Sequence, residues 1–412
     1  MSKLEQLIAD LCPDGVEYKE LQEVFTIRNG YTPSKDTPEF WEDGSIPWFR
    51  MEDIRENGRI LSDSIQHITP KAIKGSLFPA DSMIIATSAT VGEHALLTVE
   101  ALANQRFTFL TRKMPYLKTL DIKYFFYHCD VLDEWCKQNT TLGNFNSVDM
   151  TKFKKYKFPL PPLPVQQEIV RILDKFTELE AELEAELVAR TKQYEYYRDE
   201  LLTFGDDVER KTLREIGFFY GGLSGKSKED FTDGNAKFIT YMNVFNNIAL
   251  DTNTSGLVKV GENEKQNSIL YGDVLFTGSS ETPDECGMSS VLIQKTNEKL
   301  YLNSFCFGFR LNDISVLLPD FSKYLFRSEE LRKQIQRTAS GVTRFNVSKK
   351  KMERIIVPIP PLEEQTRIVA ILDRFDALVN DITQGLPAEI AARRKQYEYY
   401  RDKLLTFKER VS

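Results

Sequence analysis

The sequence predicts a mixed α/β protein built as an internal repeat, in which two α/β domains are separated by two long helices. Residues 159–176 read PLPPLPVQQEIVRILDKF and return at 358–375 as PIPPLEEQTRIVAILDRF. KQYEYYRDELLTF at 192–204 returns at 395–407 as KQYEYYRDKLLTF. Between these helical blocks lie less similar stretches with short apolar runs that enter Gly/Ser/Thr loops, as strands of a compact domain do. Repeating one domain and one helix predicts a pseudo-two-fold scaffold.

Composition limits the class of protein. The chain has 412 residues, of which 41% are hydrophobic, which is enough for sizeable cores. Its 54 basic and 61 acidic residues give a net charge of −7, which excludes a uniformly basic coat protein for nucleic acid. Five cysteines without paired spacing and three histidines predict neither a disulfide framework nor a metal site. Without a secretory start or an apolar run of roughly 18 residues, we expect a soluble cytoplasmic protein.

The repeat predicts five segments. A short helix at 1–15 precedes a first α/β domain at 16–158, and the central helical block spans 159–205. The second α/β domain covers 206–357, and the second helical block covers 358–412. We expect the amphipathic start of the chain to complete the end of the second helical block, which would make the layout nearly circular.

Each helical block carries a coiled-coil seam. Apolar residues alternate at three- and four-residue steps with Glu and Arg between them, and no proline interrupts the first copy after its proline-rich start. ELEA-ELEA-ELVA at 178–189 is a four-residue unit in tandem. Gly385 and Pro387 predict a kink or break in the second copy. The residues expected to pack between helices are Ile169, Leu173, Phe176, Tyr194, Tyr197, Ile368, Leu372, Phe375, Tyr397 and Tyr400.

The α/β domains repeat their local elements as well. MIIATS at 83–88 and DVLFTG at 273–278 predict equivalent strands that end in polar loops. YFFYHCDVLDEWC at 124–136 and YLFRSEELRKQI at 324–335 predict one amphipathic helix in each domain.

Motifs that suggest catalysis fail on spacing. GGLSGKS at 221–227 misses the spacing of a phosphate-binding loop by one residue, so a strand-end turn is the simpler interpretation. Pro13-Asp14 with Glu17 and Lys19 only weakly resembles a nuclease metal motif, and helix capping explains it equally well. No catalytic constellation remains.

Paired basic clusters point to DNA. Lysines precede each proline-rich block, and a Gly/Asn segment lies just upstream of each cluster. Lysines neutralise phosphates, while Asn, Gln and Arg bond base edges. A single lysine run is usually only a solvated surface, but two runs at equivalent places favour phosphate contact. With the strand-end loops, the candidates are Thr87, Ser88, Asn104, Gln105, Arg106, Asn144, Asn146, Lys152, Lys154, Lys155, Ser279, Ser280, Arg344, Asn346, Lys349 and Lys350.

Across essentially its whole length the chain resembles the specificity subunits of type I restriction–modification systems. The matching segments are GYTPSKDTPEFWEDGSIPW at 30–48, the two proline-led blocks and the repeated KQYEYYRD segment. The tandem ELEA unit resembles the branch of the family that carries four-residue repeats in its central helix. The second domain departs from the opening pattern, since GGLSGKSKEDF replaces the Tyr-Thr-Pro turn, so we expect the same fold with another base preference.

The resemblance implies a non-enzymatic subunit. Each α/β domain would be a target recognition domain that reads one half of a bipartite sequence in double-stranded DNA. The long helices would pair as an antiparallel coiled coil and dock two methyltransferase subunits, with the seam residues above as docking or packing candidates. Partner subunits would bind S-adenosylmethionine, ATP and Mg²⁺, and motor–nuclease subunits would join through the complex. Two alternatives remain: a coiled-coil scaffold without a role in DNA binding, and a self-contained nuclease.

Overall fold

The computed structural model describes residues 2–141, 146–253, 256–381 and 383–410. None of the described helices combines the length and the hydropathy that crossing a bilayer requires. The α-helices are α1 Lys3–Leu11, α2 Leu21–Val24, α3 Met51–Asn57, α4 Ile122–Gln138, α5 Met150–Lys154, α6 Leu163–Leu201, α7 Leu213–Ile216, α8 Tyr241–Asn246, α9 Pro319–Leu325, α10 Glu329–Gln336, α11 Lys349–Met352, α12 Leu362–Asn380 and α13 Leu386–Leu404.

The strands fall into two sets, one in each α/β stretch. Those of the first are β1 Glu17–Glu20, β2 Phe25–Asn29, β3 Ile46–Phe49, β4 Ile60–Leu61, β5 His67–Ile68, β6 Met83–Ala86, β7 His94–Leu97, β8 Leu102–Ala103, β9 Phe107–Arg112, β10 Thr140–Thr141, β11 Ser147–Val148 and β12 Lys157–Leu160. Those of the second are β13 Glu209–Thr212, β14 Gly217–Gly221, β15 Ala236–Ile239, β16 Gly256–Val258, β17 Ser268–Ile269, β18 Val274–Thr277, β19 Ser279–Ser280, β20 Ser289–Val291, β21 Leu300–Leu302, β22 Cys306–Leu311, β23 Ala339–Ser340, β24 Phe345–Val347 and β25 Ile356–Ile359.

The chain forms two compact units, and each joins one α/β domain to parts of both helical blocks. Unit 1 consists of Met1–Glu182 with Ile390–Ser412, and unit 2 of Leu183–Glu389. The sequence-based boundaries follow the repeated blocks instead, so α6 lies in one predicted segment but contributes to both units. Periodicity identifies a helix but does not identify the domain on which each of its turns packs.

Unit 1 is built on a five-stranded sheet in the order β2-β9-β6-β7-β4. Its central strand β6 is buried on both faces, as the apolar run MIIA suggests. A smaller sheet, β5-β3-β8, packs beside it, and β1 pairs antiparallel with β12. The main core gathers Phe25, Tyr124 and Phe158 with Ile169 and Leu173 of α6, so the long helix is part of the domain's core.

The two ends of the chain meet in unit 1. Val16 forms a parallel bridge with Glu409, and the Tyr18 hydroxyl donates to the carbonyl of Phe407 at 2.9 Å. Leu4 of α1 and Leu405 share one apolar core. The expected completion of the last helix by the start of the chain is confirmed.

Unit 2 repeats this plan. Its main sheet has the order β14-β22-β18-β20, which matches β2-β9-β6-β7 strand for strand. The strand β13 pairs with β25 as β1 pairs with β12. The predicted strands at 83–88 and 273–278 are therefore confirmed at equivalent places, as β6 and β18.

Buried glutamines tie each domain to its helical block. Gln166 donates to the carbonyls of Thr119 at 2.8 Å and Pro161 at 2.6 Å, and accepts from the amide of Asp121 at 2.8 Å. Gln365 repeats this pattern in unit 2 with Val316, Pro360 and Leu318. The glutamine that follows each proline-rich start thus has one structural task in both copies.

The helices pair antiparallel, as expected. In unit 1, Phe176 of α6 stacks on Tyr400 of α13 with ring centroids 5.6 Å apart, while Glu180 one turn later pairs with the earlier residue Arg394. In unit 2, Tyr197 of α6 stacks on Phe375 of α12 at 5.5 Å. Because Phe176 and Phe375 are repeat equivalents, and so are Tyr197 and Tyr400, the two stacks are copies of one contact.

Two local predictions have different outcomes. The break around Gly385 is confirmed, because α12 ends at Asn380 and α13 begins at Leu386. The single helix predicted at 324–335 is wrong, since α9 ends at Leu325 and α10 starts at Glu329. Ser328 separates them, because its hydroxyl donates to the Leu325 carbonyl at 2.7 Å and caps α10.

Candidate nucleic-acid interface

In unit 1 the predicted loops converge at one end of the main sheet. The amide of Thr87 donates to the carbonyl of Arg106 at 3.0 Å, and the amide of Ala89 donates to the carbonyl of Asn146 at 2.9 Å. Ser88 and Ser147 form an isolated antiparallel β-bridge. Main-chain bonds therefore bring together three segments that are far apart in sequence. Exposed Gln105, Arg106 and Asn146 project from this loop cluster.

The backbone of this cluster is strained at one position. Ala89 has a φ of +67°, in the left-handed region that costs a side chain about 1–2 kcal/mol. The bond from its amide to Asn146 maintains this geometry. Strain of this kind concentrates where a loop must present a fixed shape.

A short basic helix follows the loop cluster of unit 1. Asp149 caps α5 by accepting from the amides of Thr151 and Lys152, and buried Phe153 anchors the helix to the core. Lys152, Lys154 and Lys155 are exposed.

Unit 2 reproduces the arrangement with other side chains. The strand β19, which contains Ser279 and Ser280, pairs with β24, and the amide of Gly278 donates to the carbonyl of Phe305 at 2.8 Å. Arg344 reaches over the cluster and donates to the Ser279 hydroxyl at 3.1 Å. Asn346 is exposed beside it.

The second basic helix is α11. Ser348 caps it, and buried Met352 anchors it as Phe153 anchors α5. Lys349 and Lys350 are exposed, and among the described residues neither forms an ion pair within 4.0 Å. Both predicted lysine clusters thus lie next to their loop clusters.

Several predicted contact residues are not accessible. Thr87 is buried and its hydroxyl bonds that of Thr108 at 2.7 Å. Ser279 accepts from Arg344, and Ser280 donates to Glu285 at 3.2 Å, so both buried hydroxyls have internal partners. Asn104 uses its side-chain oxygen to hold the amide of Arg106. Asn144 lies outside the described residues.

The seam candidates lie mainly between helices and cores. Ile169, Leu173, Ile368 and Leu372 are fully buried, and Tyr194 is 7% exposed. Phe176, Tyr197, Phe375 and Tyr400 form the two stacks described above, while the hydroxyl of Tyr397 donates to Asp130 at 3.2 Å. These residues hold the helices in place; Tyr197 and Tyr400 are 37% and 38% exposed, and Phe176, Phe375 and Tyr397 are partly buried.

Two tyrosines of the helices are strongly exposed, although their helical spacing suggested that they are packing residues. Tyr196 is 64% exposed and Tyr399 is 63% exposed, and each forms an edge contact with the next tyrosine. They are equivalent positions of the repeated KQYEYYRD segment. Their place off the apolar seam was the signal that could have identified them.

In unit 1, one histidine and two aspartates, which are residue types that can bind a metal, lie close together in a largely buried ionic network. His94, Asp130 and Asp133 each place one ligand atom within 4.8 Å of the others. Arg59 donates to Asp130 at 2.5 Å, and His94 bonds Asp133 at 2.6 Å. Burial is the largest single effect on Asp130 and opposes its ionisation, but Arg59, His94 and Arg401 together outweigh burial and hold the pKa of this carboxyl below its ordinary value. The guanidinium groups of Arg59 and Arg401 already compensate Asp130, while Asp133 is paired with His94.

The catalytic near misses have structural explanations. Lys226 of the glycine-rich segment is almost buried and pairs with Glu264 at 2.6 Å. Hydrogen bonds from Lys226 and Gln266 lower the pKa of Glu264 to about 2. Glu17 pairs with Lys19 at 2.5 Å. These ion pairs occupy the charged groups that a phosphate or a metal would need.

Comparison with known families gives one match over most of the chain. The model of the type I restriction modification DNA specificity domain matches twice, at residues 13–190 and 205–392.

Two relatives of this chain are themselves specificity subunits. The type I restriction enzyme EcoprrI specificity subunit of Escherichia coli is 41% identical over 93% of this chain and 92% of its own length. The EcoR124I/EcoR124II specificity subunit of Escherichia coli is 34% identical over 70% of this chain and 72% of its own.

Solved structures share the fold at low identity. A chain described in work on complex assembly and conformational transition of the type I restriction–modification system has a TM-score of 0.64 at 17% identity, covering 96% of this chain and 98% of its own. The HsdS subunit from Thermoanaerobacter tengcongensis has a TM-score of 0.53 at 16% identity, with 96% and 97% covered.

Proposed function

The chain belongs to the type I restriction–modification DNA specificity family, and on that premise we propose that it reads a bipartite DNA target and docks two methyltransferase subunits. As a specificity subunit with two target recognition domains, it is the non-catalytic DNA-recognition component of its complex. Each unit binds one half-site of double-stranded DNA. The methyltransferases bring S-adenosylmethionine, and motor–nuclease subunits, which bring ATP and Mg²⁺, join through them.

The placement of the loops supports the assignment of DNA contacts. In each unit a loop cluster with exposed polar side chains lies next to a capped helix of exposed lysines. Lysines bound to phosphates fix the position on the duplex, and the neighbouring loops read the base edges. In unit 1 the reading residues are Gln105, Arg106 and Asn146. In unit 2 they are Arg344 and Asn346.

The observation that carries the docking proposal is a duplicated exposed surface. Core packing explains why Tyr194 and Tyr397 are identical in the two copies, but it does not explain identity at exposed positions. Tyr196 and Tyr399 are equally exposed in the two units, and Glu195 and Glu398 beside them are exposed as well. A solvated surface kept the same in two otherwise divergent units fits two copies of one partner.

The first experiment is co-expression of the chain with its methyltransferase and mapping of methylated adenines in host DNA by single-molecule sequencing. We expect one motif with two half-sites and a fixed gap. A stable complex that produces no motif would refute DNA reading and favour the coiled-coil scaffold. Cleavage by the isolated chain with magnesium would favour the nuclease instead.

The second experiment tests docking by native mass spectrometry of the complex. Tyrosine is enriched among the few interface residues whose truncation costs about 2 kcal/mol or more, which is about thirtyfold in affinity. Tyr196→Ser and Tyr399→Ser should each weaken one methyltransferase site by at least about tenfold, and the double variant should weaken both. Val188→Ser is the matched control, because Val188 is 56% exposed on α6 but lies outside the repeated segment. Unchanged binding of both copies by the double variant would refute this surface.

A further inference from the structure

The two recognition domains present opposite chemistry at matched positions of their loop clusters. Asn104 accepts from the amide of Arg106 at 3.0 Å, and Asn303 accepts from that of Phe305 at 2.8 Å. A main-chain hydrogen bond at the same residues is also matched. The Thr87 amide donates to the Arg106 carbonyl in unit 1, and the Gly278 amide donates to the Phe305 carbonyl in unit 2. Phe305 in unit 2 therefore stands where Arg106 stands in unit 1.

A second position changes in the same direction. In the parallel strand pairs, Phe49 lies opposite Ala103 in unit 1, and Ile239 lies opposite Leu302 in unit 2. The two pairs are equivalent, and a short helix begins two residues after Phe49 and two residues after Ile239. The second residue of that helix is Glu52 in unit 1 and Met242 in unit 2. At both positions a charged side chain of unit 1 is replaced by an apolar side chain in unit 2.

These apolar side chains line a cleft at the loop cluster of unit 2. The cleft encloses about 960 Å³ and is lined by Met242, Phe305, Val342 and Arg344 among others. Met242 is 54% exposed, Phe305 58% and Val342 91%. Apolar groups gathered at a concave surface and open to water indicate a ligand with an apolar group of its own.

Polar and charged side chains complete the lining of the cleft, among them Arg344, Glu281 and Glu285. Arg344 is anchored by Ser279 and its guanidinium lies 5.8 Å from the centre of the Phe305 ring, so the arginine and the ring are held side by side. In the major groove, only thymine offers an apolar group, its 5-methyl, next to hydrogen-bonding edges. The exposed lysines of α11 follow β24 of this loop cluster directly in the chain.

We propose that unit 2 reads thymine methyl groups with Phe305 and Met242, whereas unit 1 reads its half-site through charged and polar side chains. The inference rests on the proposed function and adds the chemical class of the base that one half-site must contain. We assign the cleft to duplex DNA rather than to a protein partner, because Phe305 occupies the loop position at which unit 1 carries Arg106, a proposed base-reading residue.

Deoxyuridine is the probe, because it pairs as thymidine does and lacks only the methyl group. The complex with its methyltransferases would be titrated with duplexes of the mapped target in which one half-site at a time carries uracil. Burying a methyl contributes about 0.8 kcal/mol, or roughly a fourfold change in affinity. We expect a loss of about fourfold for each contacted methyl in one half-site and no change in the other.

Variants then assign the half-site. Phe305→Ala should weaken binding to the thymine duplex and abolish its preference over the uracil duplex, and Met242→Ala should reduce that preference. Phe218→Ala is the matched control, because Phe218 is 50% exposed in the same unit and does not line the cleft. Both side chains at the test positions are exposed, so their truncation leaves the core intact.

Two results would overturn the inference: equal affinity for thymine and uracil in both half-sites, or a Phe305→Ala complex that keeps the preference. Loss of a methyltransferase subunit from the Phe305→Ala complex, without any thymine preference, would identify the cleft as a protein contact instead. Failure of the proposed function looks different, because then no duplex is bound with sequence preference.

Discussion

Replacing Gln166 with leucine tests how the recognition domain of unit 1 is fixed to its helix. The side chain is fully buried and makes three hydrogen bonds, to Thr119, Pro161 and Asp121. Leucine has a similar volume but leaves two carbonyls and one amide without their side-chain partner. At about 1 kcal/mol for each bond, Gln166→Leu should lower the free energy of unfolding by about 3 kcal/mol.

Urea unfolding followed by tryptophan fluorescence is the suitable assay, because Trp41, Trp48 and Trp135 all lie in unit 1. Gln167→Leu is the matched control, since this neighbour on the same turn is exposed and should change stability by less than about 0.5 kcal/mol. Gln365→Leu should cost unit 2 a similar amount, measured by circular dichroism. Equal stability of Gln166→Leu and Gln167→Leu would refute the account of the glutamine bonds.

Three further predictions concern unit 1. Burial lowers the pKa of His128 from 6.5 to about 4, so the unfolded state takes up the proton at a higher pH than the folded state does. The free energy of unfolding should therefore fall by about 3 kcal/mol as the pH falls from 6.5 to 4. His128→Gln should flatten this pH dependence, as measured by urea unfolding. Ala89→Gly should raise stability by roughly 0.5 kcal/mol, because relief of the left-handed backbone exceeds the added chain entropy, whereas a lower melting temperature would contradict the strain. Changing Lys154 and Lys155 to Gln should reduce the slope of log affinity against log salt by about 2, and an unchanged slope would exclude phosphate contact.

Several features follow from the sequence alone. The repeat predicted two units of the same plan because the same local pattern of apolar residues folds the same way twice, as the matched sheet orders show. The long helix α6 and the break near Gly385 followed from periodicity and from glycine and proline, which act on the backbone within one turn. The lysine clusters could be predicted because the charge of a lysine follows from the residue type alone.

Other features depend on contacts between distant residues, which a sequence pattern does not contain. Thr87, Ser279 and Ser280 sit in polar loops by pattern, but strand pairing buries them and gives their hydroxyls internal partners. Ser328 splits a helix that periodicity predicted as continuous, because its hydroxyl satisfies the end of one helix and the start of the next.

The division of the chain into units was likewise decided by tertiary packing. Periodicity fixes which turns of α6 are apolar, but only the folded chain shows that Phe176 stacks on Tyr400 and Tyr197 on Phe375. The sequence by itself determined the repeat, the helices and the charge of this protein. The tertiary structure decided which side chains remain exposed, because burial depends on what packs against a residue from elsewhere in the chain.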